Sequence, residues 1–428
     1  MPSLDRSMLD SLIARDPEWV GKRRRAGFEW LEKLEVPTGA EEEWRYVVIP
    51  GDPASLPLAD RPGEPIAPDD LDEALSVAAG RAQVVDGTTV AIESASETGV
   101  VFAPLASAYT DNEAELRGAY LQAVDPGTDR FAAAHAAFSG DGVFLYVPPG
   151  VAAADPFLID IQGVTPGSVS FPHVTVVAER NSEASIVIRY RSAPGAELAM
   201  IPQVEASVRD GGRLRLTTVQ QLDEAATTIA HQRLDLGRDS TAFLGEVGLG
   251  GRFGRLDLGI DLLGSGGTAD VVGIYYGEHE QVLDYRLLID HFGPSTSSKV
   301  FLKGAVEDTA SSVFTGMVKI EPDAAKTSAF ETNRNLVLSD GAKASSVPNL
   351  EILCNDVICG HASSVGPLDE DQLYYLESRG LPSDRAARLL IRGFFEEVIA
   401  RLPHPQLAAP VRGAVNRKFV TAQEEGRV

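Results

Sequence analysis

The sequence predicts a mainly β chain with helical regions at both ends, and three observations carry that reading. From about Gly142 to residue 353, short alternating runs bounded by Gly, Pro, Asp or Ser follow one another. Residues 3 to 36 carry helical spacing instead, and so does the segment after Ser383. The expected organisation is a mixed, mostly helical region over residues 1–140, a β core over 141–366 and a C-terminal helical region over 367–428.

In the first region, Asp16 and Pro17 form a cap and first-turn pair, and Trp19, Arg23, Ala26, Trp30 and Leu34 recur at helical spacing, placing both indoles on one stripe. The basic island "GKRRRAG" (residues 21–27) between them reads as a solvated helix face. Among the alternating runs are "VFLYV" (143–147), "HVTVVA" (173–178), "RLRLTTV" (213–219), "RLDLGIDLL" (255–263) and "SSVFTGMV" (311–318). Such a stretch without crossover helices excludes a doubly wound sheet and leaves a sandwich, a barrel, a propeller or a β-solenoid. No strict repeat is visible, so a solenoid would have irregular coils. In the last region Ala387, Ile391, Phe394, Val398 and Leu402 form one apolar stripe, and Leu407, Val411, Val415 and Phe419 form another.

Composition narrows the function. The 428 residues hold 38 Lys and Arg against 62 Asp and Glu, a net charge of −24, which disfavours nucleic acid and anionic membrane surfaces as partners. Two cysteines make no disulfide framework and fit a reducing cytoplasm; the N-terminus lacks a secretory apolar core, and no window approaches a membrane span. The glycines of "GLGGRFG" precede an alternating strand rather than a helix, so they read as turn glycines and not as a dinucleotide loop. There is no Walker-type loop, so any ATP chemistry belongs to another chain. His291, beside Asp290, reads as a satisfied structural histidine.

Both cysteines and one histidine fall in "CNDVICGHASSVG" (354–366). In an extended chain Cys359 and His361 share a face, while Cys354 joins them only if Asn355-Asp356 turns. Thiolate and imidazole suit zinc and iron–sulfur centres, but a closed site needs four ligands and this stretch offers three. An inert buried pair and a metal or sulfur role both stay open, and a real site would need completion by a second chain.

The region from Ser297 to Leu402 resembles the SufB/SufD family of iron–sulfur cluster assembly scaffolds, and more closely its SufD branch. The resemblance rests on "SSKVFLKGAVEDTASSVFTGMVKIEPDAAKTSAFETNRNLVLSDGAKASSVPNLEI", "NDVICGHASSVGPLDEDQLYYLESRGL" and "AARLLIRGFFEEVIARLP", and extends upstream through "EEEWRY" and "GDGVFLYVPPGV". Ala362 follows His361 where SufB-type chains carry Glu. The chain departs from the usual wording at Gly360, at Ala362 and at Tyr374, where Phe is common. The resemblance implies a right-handed parallel β-helix core, pairing with a SufB-like paralogue and docking of a SufC-like ATPase on the C-terminal helices. It implies that His361, with Cys359 beside it, is a ligand of iron or of a transient iron–sulfur cluster at the SufB interface. It gives Ala387, Ile391, Phe394, Val398 and Leu402 the ATPase-docking role. ATP enters only through that partner, and sulfur-delivery proteins act through the complex. A homodimer of the isolated chain and a flavin in the assembled complex are left open. The reading is of a cytoplasmic, non-enzymatic scaffold. The alternative is a β-solenoid enzyme acting on polysaccharide through aligned carboxylates such as Asp257, Asp261, Asp284 and Asp290.

Overall fold

In the computed structural model, which describes residues 1–424 except 60, 95–98 and 154, and side chains as far as 418, the alternating runs build two long sheets. One has ten strands and the other eleven, and successive strands of the chain add to them in turn. His173–Ala178 joins one sheet, Glu183–Ser192 the other, Gln203–Val208 the first again, and so on to Lys343–Ile352 and Ile358–Gly366. Every pairing from Phe157 onward is parallel, so the core is a β-solenoid of about eight turns with helices at both termini. The registers Thr241↔Thr268 and Ser297↔Ser328 put coils 27 and 31 residues apart, which accounts for the lack of a strict repeat.

One corner of each coil is held by a stacked turn. Asn181, Gly211, Asp239, Gly266, Ser295 and Lys326 all adopt positive φ, between 53° and 74°. The N–H of each donates to a carbonyl in the next coil, at Asp210, Arg238, Ser265, Pro294, Ala325 and Asp356 respectively, over 2.6 to 3.0 Å. Four of these six positions are not glycine, so the ladder holds a backbone shape that most side chains resist.

Inside the solenoid, residues alternate into a narrow lumen. One column of in-register residues runs Phe157, Ile186, Leu216, Leu244, Val271 and Val300, all buried. It continues as Glu331 and ends as His361. The outer faces are covered by the two helical regions. Trp44, Phe131 and Phe138 pack on Ile229, Phe253 and Val313 of the eleven-stranded sheet. Trp44, from the "EEEWRY" run, lies under the Arg255 guanidinium at 3.7 Å from its ring centre. The C-terminal helices Ser383–Ile399 and Ala408–Glu424 cover Val219, Val247, Val272 and Ile274 of the ten-stranded sheet.

Several local expectations change. In helix Glu18–Leu31 Trp19 is buried but Trp30 is 41% exposed, so the indoles do not share the buried stripe. That stripe runs through Arg24, Gly27 and Phe28, and a Cβ at Gly27 would lie 2.6 Å from the Ala136 methyl of the crossing helix. Arg24, in the basic island, is buried rather than solvated: it pairs with Asp16 and donates to the carbonyl of Ser139 at 2.9 Å, just past the end of helix Arg130–Phe138. Asp16 is therefore occupied by an ion pair, and helix Glu18–Leu31 starts after Pro17 without a side-chain cap. The sheets also begin before residue 141, because Gly80–Val85 pairs with Phe157–Gly163.

Of the glycines read as turn residues, Gly248 ends strand Thr241–Gly248 and Gly254 lies in strand Phe253–Leu262, while Gly250 lies in the turn between them and marks a close approach. A Cβ at Gly250 would sit 2.0 Å from the Leu222 carbonyl of the coil below, and neither backbone can yield. Gly250→Ala is expected to destabilise the chain by about 1–3 kcal/mol, read as a lower urea midpoint with the m-value unchanged.

Candidate metal site at the open end of the solenoid

The last coil has nothing stacked on it. Lys343–Ile352 pairs only with Ser311–Ile320, and Ile358–Gly366 pairs across its length only with Ser328–Val337, so each ends its sheet. Apolar side chains stand exposed there: Ile358 is 69% exposed, and Ile352, Leu353 and Val365 are also open. Asn355 and Asp356 form the bend between the two strands, where the Asp356 carbonyl accepts the last rung of the corner ladder from Lys326. That turn brings Cys354 to the same side as Cys359. Both are free thiols, partly buried, in one small apolar cluster with Val318, Ile320, Ala324, Ala329, Leu350 and Val357.

His361 lies two residues beyond Cys359. Cys359, His361 and Ser363 stand in register over Ala329, Glu331 and Asn333, all buried lumen residues. His361 thus occupies a lumen-facing position yet is exposed, because no further coil covers it. Beneath it, Glu331 is 2% exposed, and burial pushes its carboxyl up to about 8. Glu331 is the residue that reading along the chain missed. The signal was the acidic residue of "SAFETNRN", but its place under His361 depends on the register between coils thirty residues apart.

The lumen below holds further polar groups. Gln232 donates to Glu246 at 3.1 Å, while Tyr275 and Asn333 both bond Asn335 or each other: Tyr275 donates to Asn335 at 2.6 Å and Asn333 donates to the Tyr275 hydroxyl at 3.0 Å. His291 is a satisfied core residue, bonded through its two nitrogens to Thr296 and Ser298. Among the described residues, one group of three metal-ligand types has its ligand atoms within 4.8 Å of one another: Glu224, Glu278 and His279, at a lateral corner of the solenoid. There the Lys418 ammonium donates to Glu278 at 2.6 Å, so a cation already sits against it. The set around His361 offers imidazole, thiol and carboxyl groups but no such trio.

The carboxylates of the polysaccharide reading divide into two kinds. Asp257 accepts from Arg233 at 2.6 Å and is held well below the usual carboxylate range despite its burial, and Asp284 pairs with Arg255. Asp261 and Asp290 do stand side by side in register, next to Asp235, and burial with that like charge raises Asp261 to about 6.

The expected docking stripe faces inward. Ile391, Val398 and Leu402 are buried against the ten-stranded sheet, with Phe395 rather than Phe394 in the deepest place; Phe394 and Ala387 are half-buried. Leu407, Val411 and Val415 join the same cluster, while the Phe419 side chain lies outside the described residues. The outward groups of this region are Tyr374, Tyr375 and Leu389.

A family model described as the SufBD core domain of the SUF system for FeS cluster assembly matches residues 160–394. This chain belongs to the SufBD family. A SufBD family protein of Mycobacterium tuberculosis is 36% identical over 323 residues, 71% of this chain and 80% of its own length. The iron-sulfur cluster assembly protein SufD of Bacillus subtilis is 29% identical over 432 residues, 97% and 98% of the two chains. SufD of Escherichia coli is 30% identical over 190 residues, 44% and 45% of the two chains. The chain is thus a SufD-type iron–sulfur assembly protein, and the polysaccharide reading loses its support. No helix among the described residues is long and apolar enough to cross a membrane.

The lumen of this SufD-type chain carries a pH dependence of its own. Burial pushes the Glu246 carboxyl up to about 8, so the folded chain keeps a proton that the unfolded chain sheds above its ordinary value of 4.5. Stability therefore falls as the pH rises from that value towards 8, and then levels off. Glu246→Gln removes this slope. The variant is expected to gain on the order of 3 kcal/mol over the wild type at pH 9 and little at pH 5, as read by urea unfolding at the two pH values.

Proposed function

We propose that this chain is a non-catalytic scaffold subunit of a SUF assembly complex, and that it pairs through its open terminal coil with a SufB-like paralogue. The observation that carries this reading is the exposed His361 on an uncapped coil. Its imidazole stands with Cys359 on one face, yet among the described residues no closed set of ligand atoms gathers around it. Iron and sulfide are cargo here. A borderline ligand such as imidazole accepts ferrous iron without holding it permanently, which suits a site that must release what it builds. The exposed apolar rim of Ile352, Leu353, Ile358 and Val365, with two unpaired strand edges, is what a second solenoid would cover.

ATP hydrolysis belongs to a SufC-like partner. Because Ile391, Val398 and Leu402 are occupied within the chain, docking on the C-terminal region falls to the outward groups Tyr374, Tyr375 and Leu389. The two cysteines, both free thiols, support action in a reducing cytoplasm.

Co-expression with the two partner chains tests both surfaces. His361→Ala is expected to leave the purified complex intact and to lower cluster formation from ferrous iron and sulfide by at least about tenfold, measured by anaerobic absorption spectroscopy. An undiminished cluster yield would remove the role given to His361. Leu389→Asp is expected to reduce retention of the ATPase without changing the melting temperature, whereas Ile391→Asp lowers the melting temperature itself. Full retention by the Leu389 variant would place the ATPase elsewhere.

A further inference from the structure

The mouth of the lumen holds an oxygen donor directly under His361. Glu331 interrupts a column that is apolar through six coils, and it does so one coil below the open end. Its carboxyl crosses the lumen to Gly316 of the facing sheet: a Cβ at Gly316 would lie 2.1 Å from both carboxyl oxygens. The glycine therefore leaves the space that the acid fills. Glu331 is almost wholly buried, and its Oε1 has no hydrogen-bond partner among the described residues. On the facing strand of the terminal coil, the Ser346 hydroxyl is likewise buried without a partner.

Among the described residues Asp290 Oδ1 is also buried without a hydrogen-bond partner, whereas several other buried acids of this chain are held by donors. Glu205 accepts from the backbone N–H groups of residues 121–124, Asp160 accepts from Arg189 and Arg191, Asp129 from His231 and the N-terminus of a helix, and Glu246 from Gln232. A buried carboxyl left with an open lone pair costs free energy. A cation arriving from above offsets that cost, and imidazole nitrogen with carboxylate oxygen is a donor set that ferrous iron accepts.

We propose that Glu331 is an oxygen ligand to ferrous iron delivered at His361, reaching the ion from within the lumen mouth. This rests on the reading of His361 as a cargo ligand and adds a second ligand from the same chain. The strand pairing sets the two residues in register on strands about 4.8 Å apart, and Gly316 keeps the carboxyl's place free of any other side chain. Cys359, two positions along the strand, faces the corner cluster with Cys354 and is not required for this pair.

The test uses the full chain co-purified with its partner chains, stripped of metal, and titrated anaerobically with ferrous iron alone. Wild type, Glu331→Gln and His361→Ala are compared by binding isotherm and by iron-edge X-ray absorption. Glu331→Gln keeps the side-chain volume and is expected to leave assembly and melting temperature unchanged or improved. It should weaken iron binding about tenfold or more and remove one oxygen from the first coordination shell. If Glu331→Gln binds iron as the wild type does while His361→Ala does not, the assignment of Glu331 is overturned and the reading of His361 survives. If His361→Ala binds as the wild type does, the reading of His361 falls and takes this inference with it. Should the Gln variant not fold, Glu331→Asp, which withdraws the acid by one methylene, serves in its place: the same loss supports the assignment, and wild-type affinity overturns it.

Discussion

A parallel stack of coils satisfies each backbone only by means of its neighbours, so the stack must end at a coil whose outer edge has nothing to bond. In this chain the N-terminal end of each sheet finishes in an antiparallel strand, Thr88–Ser94 on one and Val101–Pro104 on the other, beside a region packed with helices. The C-terminal end has no such finish. Two strand edges, a rim of Ile and Leu side chains and the residues that would be interior in any other coil are presented together. The same absence of a next coil that exposes Ile358 also exposes His361.

From that constraint the character of the site follows. A lumen position normally takes an apolar residue, and the column beneath His361 obeys this through Val300. Polar donors appear in it only where the column meets the open end. Placing them there leaves His361 open, so that a second subunit can supply what is missing. The N-terminal and C-terminal helical regions lie on the lateral faces, and they leave the end free. Their attachment is through apolar packing and specific pairs, such as His404, which bonds Ser185 at 2.9 Å and Thr217 at 2.7 Å across the ten-stranded sheet.

Much of this was legible along the chain. The alternating runs found strands: "HVTVVA" is the strand His173–Ala178, and "VFLYV" lies inside Gly142–Val147. What local pattern cannot give is the pairing of residues about thirty positions apart, and coil spacings that vary from 27 to 31 hide the repeat. The choice of a solenoid over a sandwich or barrel therefore came from family resemblance. The same blindness to register concealed Glu331. Helix faces were read to within about one residue: the C-terminal stripe was found, but Phe395 rather than Phe394 sits deepest, and the face it defines is spent on the chain's own sheet. Arg24 shows a different limit, since a basic run looks solvated until the carbonyls at the end of a crossing helix are seen to need a donor. Cys359 and His361 could be named from spacing and resemblance, while the bend that gathers Cys354 beside Cys359 depended on the corner ladder.

The claim beneath the account is that a single chain presents an incomplete coordination site at an uncapped solenoid end. Anaerobic reconstitution of the purified chain with iron and sulfide, alone and together with its SufB-like and SufC-like partners, followed by Mössbauer spectroscopy, tests it most directly. The account predicts substoichiometric, poorly defined iron on the chain alone and a cluster spectrum once the partners are present. A stoichiometric cluster with an intact spectrum on the monomeric chain by itself would contradict it.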